Sequence, residues 1–201
     1  MNRLKIFFVN LCRALLAITF VFSGFVKAID PLGTQYKIGD YLEALGLAGQ
    51  VPEWIQLMTS VVLSAVEFLL GMLILLAIQR RLVSKLTTLF MIFMTGITLW
   101  LTIGNPIQDC GCFGDALRLT NAQTFGKNVV LLFAALVLMR FPLYQVRFIS
   151  KTNQWIASYF TLIFILVASL LSLYHLPIFD FRPYSIGQNI RKGMEMPPGA
   201  Q

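Results

Sequence analysis

Residues 54–78 read WIQLMTSVVLSAVEFLLGMLILLAI, with Glu67 as the single ionisable side chain. Crossing the hydrocarbon core of a bilayer takes about 20 mostly apolar residues at about 1.5 Å of helical rise each. This stretch is long enough. Within a bilayer every backbone N–H and C=O must be paired inside the segment, and the two-residue alternation of a barrel strand is absent. The stretch is therefore read as a membrane-spanning helix.

Four other stretches follow the same logic: residues 6–29, interrupted by Arg13; 86–103, without charge; 129–144, short and carrying Arg140; and 155–176, without Asp, Glu, Lys or Arg. The composition agrees. Of the 201 residues, 57% are apolar or aromatic and 12% are charged, and the mean hydropathy is +0.75. Soluble domains carry about 45–50% apolar and about 25% charged residues, which excludes a soluble enzyme and a disordered tail. The expected fold is all-α, a polytopic transmembrane helix bundle of five spans. Arg3 and Lys5 ahead of the first apolar run, with Val26-Lys27-Ala28 after it, imitate a secretory signal. The run exceeds the usual apolar region of about 7–15 residues and contains Arg13, so it is read as a retained anchor helix.

The net charge of +7 is resolved by position. Arg3, Lys5, Arg13, Arg80, Arg81, Lys85, Arg140, Arg147 and Lys151 fall on one side of a five-span chain, with no acidic residue among them. The opposite side mixes Lys27, Lys37, Arg118, Lys127, Arg182, Arg191 and Lys192 with Asp30, Asp40, Glu43, Glu53, Asp109, Asp115, Asp180 and Glu195. Basic loops stay in the cytoplasm, so the N-terminus is expected there and the C-terminus outside. The excess is an orientation signal with the lipid bilayer as partner, and no nucleic acid is needed to explain it.

The first outer loop, residues 30–53, holds Tyr36, Ile38, Tyr41, Leu42, Leu45 and Leu47 among Lys37, Asp40 and Glu43. That pattern predicts a short amphipathic helix over 36–47, stopped by Gly46 and Gly49. It is read either as a cap on the bundle or as a lid over a membrane-embedded site.

The second outer loop contains Asp109-Cys110-Gly111-Cys112-Phe113-Gly114-Asp115. Glycine between two thiols allows a small strained ring, and strained exposed disulfides are labile and oxidising. A ring this short removes little unfolded-state entropy, so stabilisation is a weak reason for it. Structural zinc takes about four ligands, and two thiolates with no histidine nearby in the sequence fall short. His175, at the outer end of the fifth span, is read either as a spatial neighbour or as a satisfied interfacial polar residue. Asp109 and Asp115 oppose thiolate formation by like-charge repulsion. A redox-active dithiol, a passive disulfide and an inert or metal-binding pair all stand as readings, with Cys110 and Cys112 as candidate catalytic residues. Cys12, near the other end of the first span, lies too far away to join them.

Within the spans, Glu67 must find a partner or be protonated, because a carboxylate at mid-bilayer costs about 2.5–3.5 kcal/mol on insertion scales. Ser23 and Lys27 lie one helical turn apart on the first span, and Lys27 is expected to reach Glu67. One reading is an interhelical contact, helped by close approach at Gly24 and Gly71. The other is a polar site, formed by Glu67, Lys27 and Ser23, for a quinone head group or a proton path. No metal site is expected.

Arg13, Phe22-Ser23-Gly24-Phe25-Val26-Lys27 and Asp30-Pro31 resemble the first-helix pattern of the DoxX-like membrane proteins. Val66-Glu67-Phe68-Leu69-Leu70-Gly71 resembles the second-helix pattern of that family, and Cys110-Gly111-Cys112-Phe113-Gly114 is similar to the loop motif of its MauE branch. The resemblance covers about residues 10–145, the four-helix core of such proteins. It implies a redox-associated protein of the bacterial cytoplasmic (inner) membrane. MauE-like members are linked to methylamine utilisation and maturation of a disulfide-rich dehydrogenase subunit, DoxX-like members to quinone-coupled sulfur oxidation.

The expected organisation is a DoxX/MauE-like core over residues 1–145, a fifth helix over 146–176 and an extracytoplasmic linker-like tail over 177–201. The tail is expected to lead toward a partner or a further soluble domain. The function expected is thiol–disulfide electron transfer to, or maturation of, an extracytoplasmic thioredoxin-like or disulfide-containing partner. A non-catalytic assembly scaffold is the alternative.

Overall fold

In the computed structural model, residues 2–47, 49–104, 111–114 and 119–175 are described, the side chains of Asn2 and Lys151 excepted. Cys110, both loop aspartates and the 177–201 tail lie outside them. Six helices follow one another among the described residues, with no β-strand: α1 Asn2–Ile29, α2 Pro31–Ala44, α3 Glu53–Leu75, α4 Arg80–Gly104, α5 Asn121–Arg140 and α6 Gln154–Tyr174. All but α2 are long and apolar enough to cross a membrane. Between 22% and 44% of each span's most apolar window is buried, so more than half of each window is not fully covered by the bundle. With Phe7, Leu89, Phe93, Phe133 and Phe160 among the exposed side chains, that surface suits lipid, not water. The chain is a multi-pass membrane protein.

Helix ends depart from the apolar runs for local reasons. The run through Ile78 does not continue as helix, because Ala77 (φ 54°) and Gln79 (φ 38°) take left-handed conformations and reverse the chain into α4. Ala77 and Ile78 stay buried in that turn, which explains why hydropathy alone runs past the helix. The fourth span is corrected from 129–144 to Asn121–Arg140. Thr120 and Gln123 form a capping box that starts α5 early, satisfying amide donors that a helix start leaves open. At the far end Pro142 has no N–H and disfavours helical backbone in Phe141 (φ −126°, ψ 51°), so a 3-10 turn, Pro142–Tyr144, follows. The amphipathic helix also begins earlier than residue 36. Asp30 caps it, its carboxylate accepting the Gly33 amide at 3.0 Å, and Pro31 occupies the first turn. Gly46 and Gly49, both at positive φ, follow its end.

α1 is the central element and packs most extensively on α3. A Cβ on Gly24 would stand 2.5 Å from the Phe68 amide nitrogen, and one on Gly71 would stand 2.7 Å from that of Val21. The two backbones touch, as small residues permit when lipid offers no hydrophobic drive for helix association. On one side of this contact Leu16, Ala17 and Phe20 join Leu70, Ile74, Met91, Leu131 and Ala135 in the main core, which also takes in Cys12. α6 packs on α1 and α3, with Ile165 against Ala28, Ala65 and Phe68.

At the end where α1 begins, the α5–α6 connection is stapled down by side chains that donate to its backbone. Arg13 Nη1 donates to the Val146 carbonyl and its guanidinium lies 4.9 Å from the Phe148 ring centroid. Arg80 Nη1 donates to the Gln145 carbonyl at 2.7 Å, and Gln145 Nε2 donates to Ser84 Oγ at 3.0 Å. These contacts occupy a buried arginine, Arg13, whose backbone partners the sequence did not indicate.

Candidate functional site

The opposite end of the bundle gathers most of the predicted site residues. Ser23 and Lys27 face the same way from α1, one turn apart. Gly24 lies beside them, and its missing side chain lets α3 come close enough for Glu67. Lys27 Nζ donates to Glu67 Oε2 at 2.6 Å, with the two side chains 3% and 8% exposed. The pair is desolvated, so each charge depends on the other. The carboxylate partner expected from sequence is therefore in place.

α3 places more polarity on this face than Glu67 alone. Ser60, Ser64 and Glu67 follow the i, i+4, i+7 spacing of one helical stripe, and all three are buried. Ser60 Oγ donates to the Pro31 carbonyl at 2.7 Å, tying the start of α2 to α3. The spacing was available in the sequence; serines in a span attract less notice than a carboxylate.

The cysteine turn is seated on the same face of α1. Ser23 Oγ donates to the Cys112 carbonyl at 2.5 Å. Gly111 and Gly114 adopt positive φ (61° and 54°), and the Gly114 amide donates to the Gly111 carbonyl at 3.0 Å, closing a tight turn. Phe113 is held between elements, 5.7 Å from the Phe22 ring and 4.1 Å from Lys127 Nζ. A Cβ at Gly111 would stand 3.0 Å from Lys37 Cγ, so α2 packs against the turn. Cys112 is buried and packs with Leu101, Tyr41, Met94 and Ile97. Ser23, Lys27, Glu67 and Cys112 thus form one neighbourhood. Cys110 falls outside the described residues, and Cys12 belongs to the separate main core.

Two lysines that sequence reading counted only as loop charges, Lys37 and Lys127, flank the turn. A cavity of about 610 Å³ lies beside the turn, between α2 and α4, with Cys112, Lys27 and Lys37 among its walls. α2 therefore covers a hollow as well as the bundle. A second cleft of about 700 Å³, between α2 and the start of α3, is lined by Asp40, Glu43 and Glu53 and has no cysteine. His175 is exposed at the end of α6.

Five membrane-crossing helices with a buried lysine–glutamate pair near a cysteine turn define a polytopic membrane protein. A sequence model of the family described as methylamine utilisation protein MauE matches residues 5–141, α1 through α5. The chain belongs to that family, and α6 lies beyond the matched region. Among curated proteins, Protein TlpB of Flavobacterium psychrophilum is similar, 28% identical over 169 residues. The match takes in 81% of this chain and 42% of TlpB, so the chain spans less than half the length of that relative. No solved structure matches the chain.

Proposed function

We propose that this protein is a thiol–disulfide component of the bacterial cytoplasmic membrane that oxidises an extracytoplasmic partner through Cys110 and Cys112. The N-terminus lies in the cytoplasm and the cysteine turn outside, as the basic residues of the loops indicate. A thiolate of the partner attacks the Cys110–Cys112 disulfide and forms a mixed disulfide. The partner's second thiolate then resolves it. The partner leaves with a new S–S bond, and the loop holds two thiols, having gained two electrons and two protons. Residues 1–145 form the core that presents the loop, 146–176 brace it, and the 177–201 tail tethers the partner.

The observation that supports this most strongly is the seating of Cys112. Its carbonyl is held by Ser23, its turn is flanked by Lys37 and Lys127, and the buried Lys27 of the Lys27–Glu67 pair lines the same cavity. A passive bridge has no need of such surroundings. Family membership adds independent support.

The test is to trap the intermediate. With Cys110→Ser or Cys112→Ser the loop cannot form its disulfide. The remaining thiolate can still attack the disulfide of an oxidised partner, the reverse of the last step, expelling one partner thiolate. The loop then has no second thiol to resolve the mixed disulfide. One of the two variants is expected to accumulate a reductant-sensitive adduct with an extracytoplasmic protein. If neither forms one and both support full activity, the redox reading fails and a scaffold role takes its place.

A further inference from the structure

The end of the bundle where α1 begins carries positive charge with nothing in the chain to balance it. No Asp or Glu occurs in residues 1–29, 76–104 or 119–175, the stretches that build this end. Arg13 and Arg80 nevertheless converge on one short segment of the α5–α6 connection. Arg80 Nη1 donates to the carbonyls of Leu143 and Gln145, at 3.1 and 2.7 Å, and Arg13 takes that of Val146. Arg147 follows directly in the chain, and both it and Arg81 are near enough to act electrostatically on Arg80. Like charges gathered in one place repel, and the partial charges of a few carbonyls offset only part of that. Orienting a chain in a membrane needs a count of basic residues, not their convergence.

The same place is apolar on its outside. Leu143, Val146 and Phe148 are exposed, Phe148 by 64%, and on α4 Leu82 is exposed beside Arg81. Arg81 and Arg147 are exposed as well. Among the described residues Arg80 engages only Nη1, which leaves its Nε and Nη2 donors for a ligand. A ligand that fits presents anionic oxygens to several guanidiniums and apolar chains to the side chains around them. A nucleic acid or a free phosphate meets the first demand and not the second. A phospholipid with an anionic head meets both.

We propose that Arg80, Arg81 and Arg147 bind the phosphate head of an anionic phospholipid whose acyl chains lie along Leu82, Leu143 and Phe148. Guanidinium forks match phosphate oxygens bidentately, and basic pockets between membrane helices suit such heads. The head supplies the counter-charge that this end of the chain lacks, and it bridges α4 to the α5–α6 connection. The site stands apart from the thiol–disulfide reading and needs neither cysteine.

The full chain is placed in nanodiscs of phosphatidylcholine, with and without phosphatidylglycerol, and its thermal unfolding is followed. In parallel, phosphatidylglycerol with a photoreactive acyl chain is crosslinked to it and the adduct is mapped by mass spectrometry. The matching phosphatidylcholine reagent serves as the neutral-head control. Arg81→Gln/Arg147→Gln removes the two exposed arginines and leaves Arg80 holding the connection. Arg3→Gln/Lys5→Gln removes the same charge from exposed side chains of the same end.

Label is expected on residues 82–86 or 141–148, and in Arg81→Gln/Arg147→Gln it should fall by about tenfold or more. Phosphatidylglycerol should raise the unfolding temperature of wild type and of Arg3→Gln/Lys5→Gln, and leave that of Arg81→Gln/Arg147→Gln unchanged. In phosphatidylcholine alone, Arg81→Gln/Arg147→Gln should unfold no earlier than wild type, because repulsion on Arg80 is relieved. Two arginines with a purely structural role would instead lower the unfolding temperature in both lipids, and that result overturns the proposal. So does label that maps elsewhere or is equally strong from phosphatidylcholine. An equal loss in Arg3→Gln/Lys5→Gln marks a diffuse charge effect and overturns the local site. Displacement of the label by inorganic phosphate assigns the arginines to a free anion and overturns the lipid.

Discussion

Lys27 and Glu67 are the residues on which structural and chemical roles must be separated. A buried ion pair with one member removed leaves an uncompensated charge, at a cost of about 3–5 kcal/mol. Glu67→Ala is therefore expected to lose about that much stability in an SDS–detergent unfolding titration, whereas Lys27→Met/Glu67→Leu should recover most of the loss. If the pair only joins α1 to α3, the double variant will also keep its activity. Proposed participation at the cysteine turn requires the stable double variant to be inactive. Glu67, Lys27 and Ser23 were legible in the sequence because ionisable and small polar residues are conspicuous in apolar runs. Lys37 and Lys127 were not, because a lysine in a polar loop has no distinguishing neighbour until the chain folds. Ser60 and Ser64 lay between: their helical spacing was readable, but only contact with Pro31 gives Ser60 its role.

The elements were legible where composition alone decides them and obscure where termination is local. All five spans exist, yet several of their ends were displaced: a buried left-handed turn at Ala77 and Gln79 ends α3 early, and a capping box and Pro142 shift both ends of α5. The α1–α3 contact yields a sharp contrast between glycines. Gly24→Ala must push a Cβ against the Phe68 backbone, and overpacking of this kind costs about 1–3 kcal/mol. Gly96→Ala meets open space and should gain slightly from helix propensity, by up to about 1 kcal/mol. Opposite signs are expected in the same unfolding titration; a neutral Gly24→Ala would show that the helices do not depend on backbone contact. Asp30→Ala removes the cap of α2 and should cost about 0.5–2 kcal/mol. Faster amide exchange confined to α2 would be its signature, and unchanged exchange would show the cap to be dispensable.

At the scale of the whole molecule, the bundle has two unlike ends. One is pinned by Arg13 and Arg80 on backbone carbonyls of the α5–α6 connection; the other carries the cysteine turn, α2 and the cavity. The charge distribution proposes which end faces the cytoplasm. Periplasmic reporter fusions after residue 47 and after residue 175 should be active, and a fusion after residue 146 inactive; the reverse pattern would invert the assignment. Removing residues 180–201 separates the two roles further. A tethered redox protein should keep loop chemistry toward small dithiols and lose efficiency toward its partner, whereas a scaffold loses everything with its tail. The central claim is that Cys110 and Cys112 cycle between disulfide and dithiol on the outer face. Intact cells expressing a Cys12→Ser chain, treated with a membrane-impermeant maleimide, test it most directly. Little labelling before a reductant and two labels after it is the expected result. Two thiols that label fully without reductant, with a Cys110→Ser/Cys112→Ser chain that retains full activity, would contradict it.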